Sequence, residues 1–333
     1  MARTDSLTNF LTDIATAIKT KKGDNTNIKA SDFDIEINNL SSGGSTPEVG
    51  FVVDEYDSDG YATEVTIYGM TQIPSYAFAN YNTTYPNLLT KKLTSVKMPN
   101  GITKMGQYAF KGVNNLNLDK LPSELTFIDG NAFVNTSSSF GENINLTEFP
   151  KNLSYIGVNA FQYCNNSNLK IMDFSNINAN KTIMTNSFSY NKLESLSIIN
   201  NNDTYSLTIF QLAFTQNKQL KELTLEGNIV FSGNTGSIFS NNTLLEKVTL
   251  KPISDLNLGL PANMFQNDSA LNVLIIDSET VQSLSNVNAL TGTPIANGTG
   301  YVYVNDSLVD TYKTATNWST YASQIKPISE LGE

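Results

Sequence analysis

A short phrase ending in phenylalanine returns eight times along this chain. IPSYAF ends at Phe78, MGQYAF at Phe110, IDGNAF at Phe133, IGVNAF at Phe161, MTNSF at Phe188, FQLAF at Phe214, TGSIF at Phe239 and PANMF at Phe265. The intervals run from 23 to 32 residues with a mean near 27, inside the ~20–29 range of leucine-rich repeats. After most of these phenylalanines comes a strand phrase. LESLSIINN at 193–201 and LKELTLEGN at 220–228 are the fullest, with weaker copies LTSVKM, LKIMDF, LEKVTL and LNVLII. Each closes on two apolar residues two apart, the period of a strand with one buried face. A single unit cannot bury its Leu and Phe alone; stacked on its neighbours it makes a continuous core. The expected fold is therefore α/β: a leucine-rich-repeat solenoid, a parallel strand ladder with short helical or irregular turns between strands.

A second column lies three residues after the Phe: Val113, Cys164, Asn191, Asn217, Asn242 and Asp268. Its polar members are suited to bond backbone groups where the chain turns into the strand, groups that would otherwise be buried and unpaired. Cys164 shares that column and is expected to be buried and structural rather than reactive. Most of the 43 Asn in the chain are read as turn chemistry.

Composition narrows the function. With 21 Lys and Arg against 31 Asp and Glu the formal charge is −10, a poor match to nucleic acid or to anionic lipid. Histidine is absent, which removes the usual general base and the commonest metal ligand. One cysteine allows no intrachain disulfide and no Cys/His zinc site. No cofactor is expected, nor nucleic-acid binding, nor membrane insertion, since no run reaches the ~18 apolar residues of a span.

The organisation follows from pattern breaks. Residues 1–40 read as a small helical attachment module. Leu7, Leu11, Ile14 and Ile18 recur at spacings of four, three and four with Phe10 alongside, a stripe that suits self-assembly as well as packing on its own chain. Asp5 and Asp13 interrupt any signal-peptide core, so export by an ordinary N-terminal signal is not expected. Residues 41–50, SSGGSTPEVG, are a linker, 51–70 a β lead-in, 71–300 the solenoid and 301–333 a C-terminal cap, with Trp318 expected in the core of that cap.

The repeats resemble the BspA-like leucine-rich repeats of bacterial surface proteins. LTSVKMP at 93–99 and IGVNAF at 156–161 fit their recurring phrases, whereas the units at Phe239 and Phe265 lack the Ala. LTNFLTDIATAIKTKKG and IKASDFDIEINNL, within the first forty residues, resemble the N-terminal segment of tail-associated proteins of Firmicutes phages and prophages. Together these resemblances imply a virion-tail receptor-binding protein of tail-fibre type, a non-catalytic host-recognition component that needs no signal because lysis releases it. The alternative they leave open is a bacterial cell-surface adhesin or antigen; a glycan depolymerase is a third. Implied partners are a bacterial surface receptor, glycan or protein, other tail or baseplate proteins through the N-terminal module, and further copies of the chain, as a trimer by analogy.

Candidate sites follow from the ladder. The residue between the last two apolar positions of each strand should point outward, giving a contact column of Lys97, Asp173, Ser197, Thr224, Thr249 and Ile275. Loop residues Tyr81 and Tyr85, in the insertion at 79–92, and Phe140, in the long segment at 134–145, add aromatic contact area. Glu55, Asp57, Asp59 and Gly60 partly echo a calcium loop, but Thr66 stands where its final Glu belongs, so a hairpin turn at Asp59-Gly60 is the expected structure. Glu222, Glu226 and Glu246 read as exposed ladder residues rather than a catalytic carboxylate pair, and no catalytic residue is assigned.

Overall fold

The computed structural model describes residues 50–79, 90, 92–134, 144, 146–232, 236–253, 256 and 258–332. Within them the chain winds as a solenoid, each coil lying on the one before and held along three hydrogen-bonded rows. The module at 1–40, its stripe Leu7, Phe10, Leu11, Ile14 and Ile18, the loop residues Tyr81 and Tyr85, and Phe140 all lie outside the described residues.

The first row is a parallel sheet of seven strands: Ile171–Asp173, Ser195–Asn200, Glu222–Gly227, Lys247–Pro252, Val273–Ile276, Tyr301–Val304 and Ile325–Pro327. Alternation builds it. In Ser195–Asn200 the residues Leu196, Ile198 and Asn200 are buried while Ser195, Ser197 and Ile199 are half-exposed, the two-residue period that puts one face on the core. The row continues towards the N-terminus through an isolated parallel bridge, Leu118 to Ile144, to a three-stranded sheet. There Gly50–Tyr56 and Ala62–Tyr68 pair antiparallel, and Ala62–Tyr68 pairs parallel with Ser95–Lys97.

The second row is another seven-stranded parallel sheet on the far side of the core, of strands only two to four residues long, from Gln72–Ile73 through Lys104–Met105, Phe127–Ile128, Tyr155–Ile156, Lys181–Ile183 and Leu207–Phe210 to Ile229–Ser232. Helical or irregular turns were expected here; the coils instead run straight for long enough to pair. Among the described residues helix is confined to the C-terminal half, chiefly the cap, where Val309–Thr314 is α-helical and Trp318–Gln324 is 3₁₀.

The third row is the phenylalanine turn. The Phe78 amide donates to the Ala109 carbonyl at 2.7 Å, Phe110 to Ala132 at 2.7 Å, Phe133 to Ala160 at 2.8 Å, and Phe188 to Ala213 at 2.8 Å. Each Phe thus bonds to the residue just before the next one. That preceding residue is fully buried, as at Ala77, Ala109, Ala132 and Ala160, so a small side chain is what lets neighbouring turns approach. Two residues before every Phe the backbone is left-handed, at Tyr76, Tyr108, Asn131, Asn159, Asn186, Leu212, Ser237 and Asn263, with φ between 33° and 61°. Half of these are Asn, the non-glycine residue that tolerates this conformation best.

The core between the rows is a stack of rings. Phe78, Phe110, Phe133, Phe161, Phe188, Phe214, Phe239 and Phe265 lie nearly parallel with centroids 4.9 to 6.0 Å apart. Phe51 closes the N-terminal end edge-on at 4.8 Å. Beside the rings runs the polar column. Asn217 donates from Nδ2 to the carbonyls of Phe188 at 3.0 Å and Phe214 at 2.9 Å, and its amide donates to Asn242 Oδ1 at 2.6 Å. Asn191 repeats the pattern with Phe161 and Phe188. Cys164 substitutes in kind: its thiol is buried and donates to the Phe133 carbonyl at 3.0 Å.

One charge sits inside. Lys181 occupies an inward position in the second sheet, where its register partner is Leu207, and is fully buried. Its Nζ donates to Asn200 Oδ1 and the Tyr205 carbonyl, both at 2.9 Å, and burial pushes the amine below its usual range. The C-terminal end is sealed by Trp318, fully buried, whose Nε1 donates to the Gln282 carbonyl at 2.7 Å with Tyr312 edge-on at 5.5 Å.

Candidate recognition face

The outer face of the first sheet carries three of the expected contact residues side by side. Ser197, Thr224 and Thr249 are in register on adjacent strands and half-exposed. Lys97 is exposed but belongs to the three-stranded sheet, in register with Thr66, and pairs with Glu64 and, at 3.7 Å, with Asp54.

Two members of the expected column differ. Asp173 is exposed but pairs with Ile199; the residue in register with Ser197 is Ile171, itself 53% exposed. The displacement arises because Phe174, buried beyond Met172, takes the register that the polar Asn200 fills on the next strand, so counting back from the last apolar residue lands two positions late. Ile275 holds the expected register, between Thr249 and Tyr303, yet is only 7% exposed. Tyr303 is 9% exposed beside it, and Lys326 lies 4.2 Å from the centroid of Tyr301. Large side chains on the outer face cover one another at this end, which removes Ile275 from the contact column. Tyr301–Val304, read from sequence as part of the cap, is a full strand of the ladder and extends the face by one coil.

The acidic turn at 55–60 is a hairpin with its own cation. Asp57 Oδ1 accepts from the amides of Asp59 and Tyr61, each at 2.9 Å. Lys92 Nζ lies 2.7 Å from Asp57 Oδ2 and 2.7 Å from Asp59 Oδ2. The ammonium holds the Asp57 carboxyl below its usual range and is itself raised by the two carboxylates. Lys92 Nζ thus bridges the two carboxylates, and among the described residues no group of three or more His, Cys, Asp or Glu is placed to hold a metal.

The face also carries a concavity that the strand phrases do not mark. Between Ser95–Lys97 and Ile171–Asp173 the described residues of the two intervening coils are joined by an isolated bridge, Leu118 to Ile144. The ladder sinks there into an open cleft of about 1300 Å³. Its lining includes Asn100, Asn117, Asp119, Lys120, Glu148, Phe149, Lys151, Asn152, Asn168, Lys170, Asp173 and Asn176. The sequence signal was the weakness of the strand phrase at 116–118 and 144–146, where the leucine-spaced pattern is shortest. Among the described residues no helix is long and apolar enough to cross a membrane.

The crystal structure of the pneumococcal vaccine antigen PcpA is similar with a TM-score of 0.43 and 16% identity, over 82% of this chain and 80% of that one. A leucine rich cell surface protein from Faecalibacterium prausnitzii gives 0.34 and 14%, over 85% and 93%. A leucine-rich-repeat protein from Bacteroides ovatus gives 0.26 and 12%, over 78% and 88%. No curated protein matches the sequence. The model of the BspA type leucine rich repeat region matches residues 71–212 and 137–272, more than half the chain and the same coils that stack on the phenylalanine column. The chain therefore belongs to the BspA type leucine-rich-repeat family.

Proposed function

We propose that this chain is a non-catalytic recognition protein of a bacterial surface, an adhesin or antigen that uses its solenoid as a rigid contact wall. The observation that carries the reading is the outer face of the ladder: a row of in-register polar side chains, Ser197, Thr224 and Thr249, beside an open cleft. A rigid, laterally extended surface of this kind presents many weak contacts at little ordering cost. Membership of the BspA type family, whose repeats are those of bacterial surface proteins, favours display on the cell. The virion tail is the second reading, favoured by the resemblance of residues 1–40 to tail-associated segments. Immunogold labelling of uninduced cells of the source bacterium separates the two. Gold on the envelope is the expected result; gold only on tails released after phage induction would transfer the chain to the second reading, and gold on neither would remove both.

The partners in this reading are a surface receptor and further copies of the chain joined through the stripe Leu7, Phe10, Leu11, Ile14 and Ile18. Light scattering on the full chain and on residues 46–333 is expected to give different subunit numbers; equal numbers would count against assembly through that stripe.

A further inference from the structure

We propose that the cleft between Ser95–Lys97 and Ile171–Asp173 is a binding site for an uncharged, hydroxyl-rich ligand, a neutral oligosaccharide or polysaccharide segment. The proposal rests on the recognition reading above and names the ligand class of its deepest surface.

Three observations carry it. First, the cleft collects unspent hydrogen-bonding groups. The side-chain amides of Asn100, Asn117, Asn152, Asn168 and Asn176 line it, on exposed residues, and make no hydrogen bond among the described residues. Elsewhere the chain spends its Asn on backbone, as at Asn191, Asn202, Asn217 and Asn228. An amide offers a donor and an acceptor side by side, the pairing that adjacent sugar hydroxyls complete. Second, the charges in the lining cancel. Asp119, Glu148 and Asp173 share the lining with Lys120, Lys151 and Lys170, and none of the six forms an ion pair among the described residues. A charged polymer gains no net attraction from such a surface, whereas carboxylates and ammoniums alike hydrogen-bond hydroxyls. Third, the lining lacks what a protein partner's anchors usually meet. It contains no Tyr, Trp or Arg, the residues that dominate protein–protein hot spots. Its one aromatic, Phe149, is half-buried with its ring committed edge-on to Phe161 at 5.5 Å and Phe188 at 5.7 Å. At about 1300 Å³ the cleft exceeds the ~300–1,000 Å³ of ordinary small-molecule pockets, which suits a chain of several sugar rings.

The test uses the full chain, fluorescently labelled, on an array of immobilised neutral bacterial and mammalian glycans, followed by titration calorimetry with a retained glycan. The double variant Asn117→Ala with Asn168→Ala removes two exposed side-chain amides that make no hydrogen bond among the described residues, so little change in stability is expected. A second double variant, Ser319→Ala with Thr320→Ala, alters exposed hydroxyls of the C-terminal cap, away from the cleft and from the contact row. The expected result is retention of at least one neutral glycan, a Kd that is unchanged between low and high salt, at least tenfold weaker binding by the Asn variant, and unchanged binding by the cap variant. Retention of no neutral glycan, a Kd that weakens steeply with salt, or equal binding by the Asn variant would overturn the assignment. If envelope labelling persists while no glycan is retained, the cleft assignment fails and surface display stands.

Discussion

At the scale of single residues the polar column decides how the solenoid responds to pH. Asp268 takes the column position that Asn191, Asn217 and Asn242 fill in earlier coils. It is fully buried. Its Oδ1 accepts from the Asn242 amide at 2.7 Å, and its Oδ2 has no partner. In Asn217 the corresponding nitrogen donates to two phenylalanine carbonyls, so an ionised oxygen at Asp268 would meet acceptors where the column supplies a donor. The column neighbours Asn242 and Thr293 are uncharged, and no charged side chain acts on the group; burial alone pushes its carboxyl well above the usual range. The sign follows from linkage. A carboxyl raised on folding is protonated in both states below about pH 3.9, then ionises first in the unfolded chain, so stability falls with rising pH at up to about 1.4 kcal/mol per unit until the folded group also ionises. Asp268→Asn restores the donor. Urea midpoints at a series of pH values from 4 to 8 should show the variant more stable than the parent by a margin that widens as pH rises. A constant margin, or a less stable variant at neutral pH, would refute the neutral-acid assignment.

At the scale of elements the phenylalanine turn is the unit of cohesion, and its strength depends on how many rings flank it. Phe188 stacks on Phe161 at 5.2 Å and Phe214 at 5.1 Å, with Phe149 edge-on. Among the described residues Phe265 has one ring neighbour, Phe239 at 6.0 Å. The next coil has Leu290 at the same step, with Thr293 three residues on donating to the Leu290 carbonyl. Burying a Phe in such a core and then deleting it costs about 3–5 kcal/mol, and each aligned ring contact adds about 0.5–1.5 kcal/mol beyond area. Phe188→Ala should therefore destabilise more than Phe265→Ala when both are measured by denaturant unfolding. Equal losses would mean that ring stacking adds nothing to burial.

The same elements show what the sequence could and could not reveal. The phenylalanine period and the alternation in Ser195–Asn200 and Glu222–Gly227 are long, strong patterns, and they located the ladder and the burial of Cys164 and Trp318. The second sheet escaped notice because pairs such as Lys104–Met105 and Phe127–Ile128 are too short to show a period; their pairing is imposed by the coils above and below. Asp173 falls outside the column because the last inward residue is the apolar Phe174 on its strand and the polar Asn200 on the next, so the last apolar residue does not mark the same register on both. The burial of Ile275 depends on Tyr303 across the ladder, a contact no local pattern encodes. The cleft is legible only as the absence of strand in two successive coils, and an absence has no motif.

At the scale of the whole molecule the central claim is that successive coils lie directly on one another. Ile171, Ser197, Thr224, Thr249, Ile275, Tyr303 and Lys326 form one continuous register line across seven strands. Each step along it is one strand spacing of about 4.8 Å, although each spans more than twenty residues of chain. Pulsed electron-spin measurements on labelled cysteine pairs read this geometry directly, with Cys164 replaced by serine to leave only the introduced thiols. Labels at Lys326 and Thr224 should lie about 19 Å apart, at Lys326 and Ser197 about 24 Å, and at Lys326 and Ile171 about 29 Å, allowing for label length. Distances that grow by about 5 Å with each added coil are the predicted result; distances that stay level or vary without order would contradict a stacked solenoid.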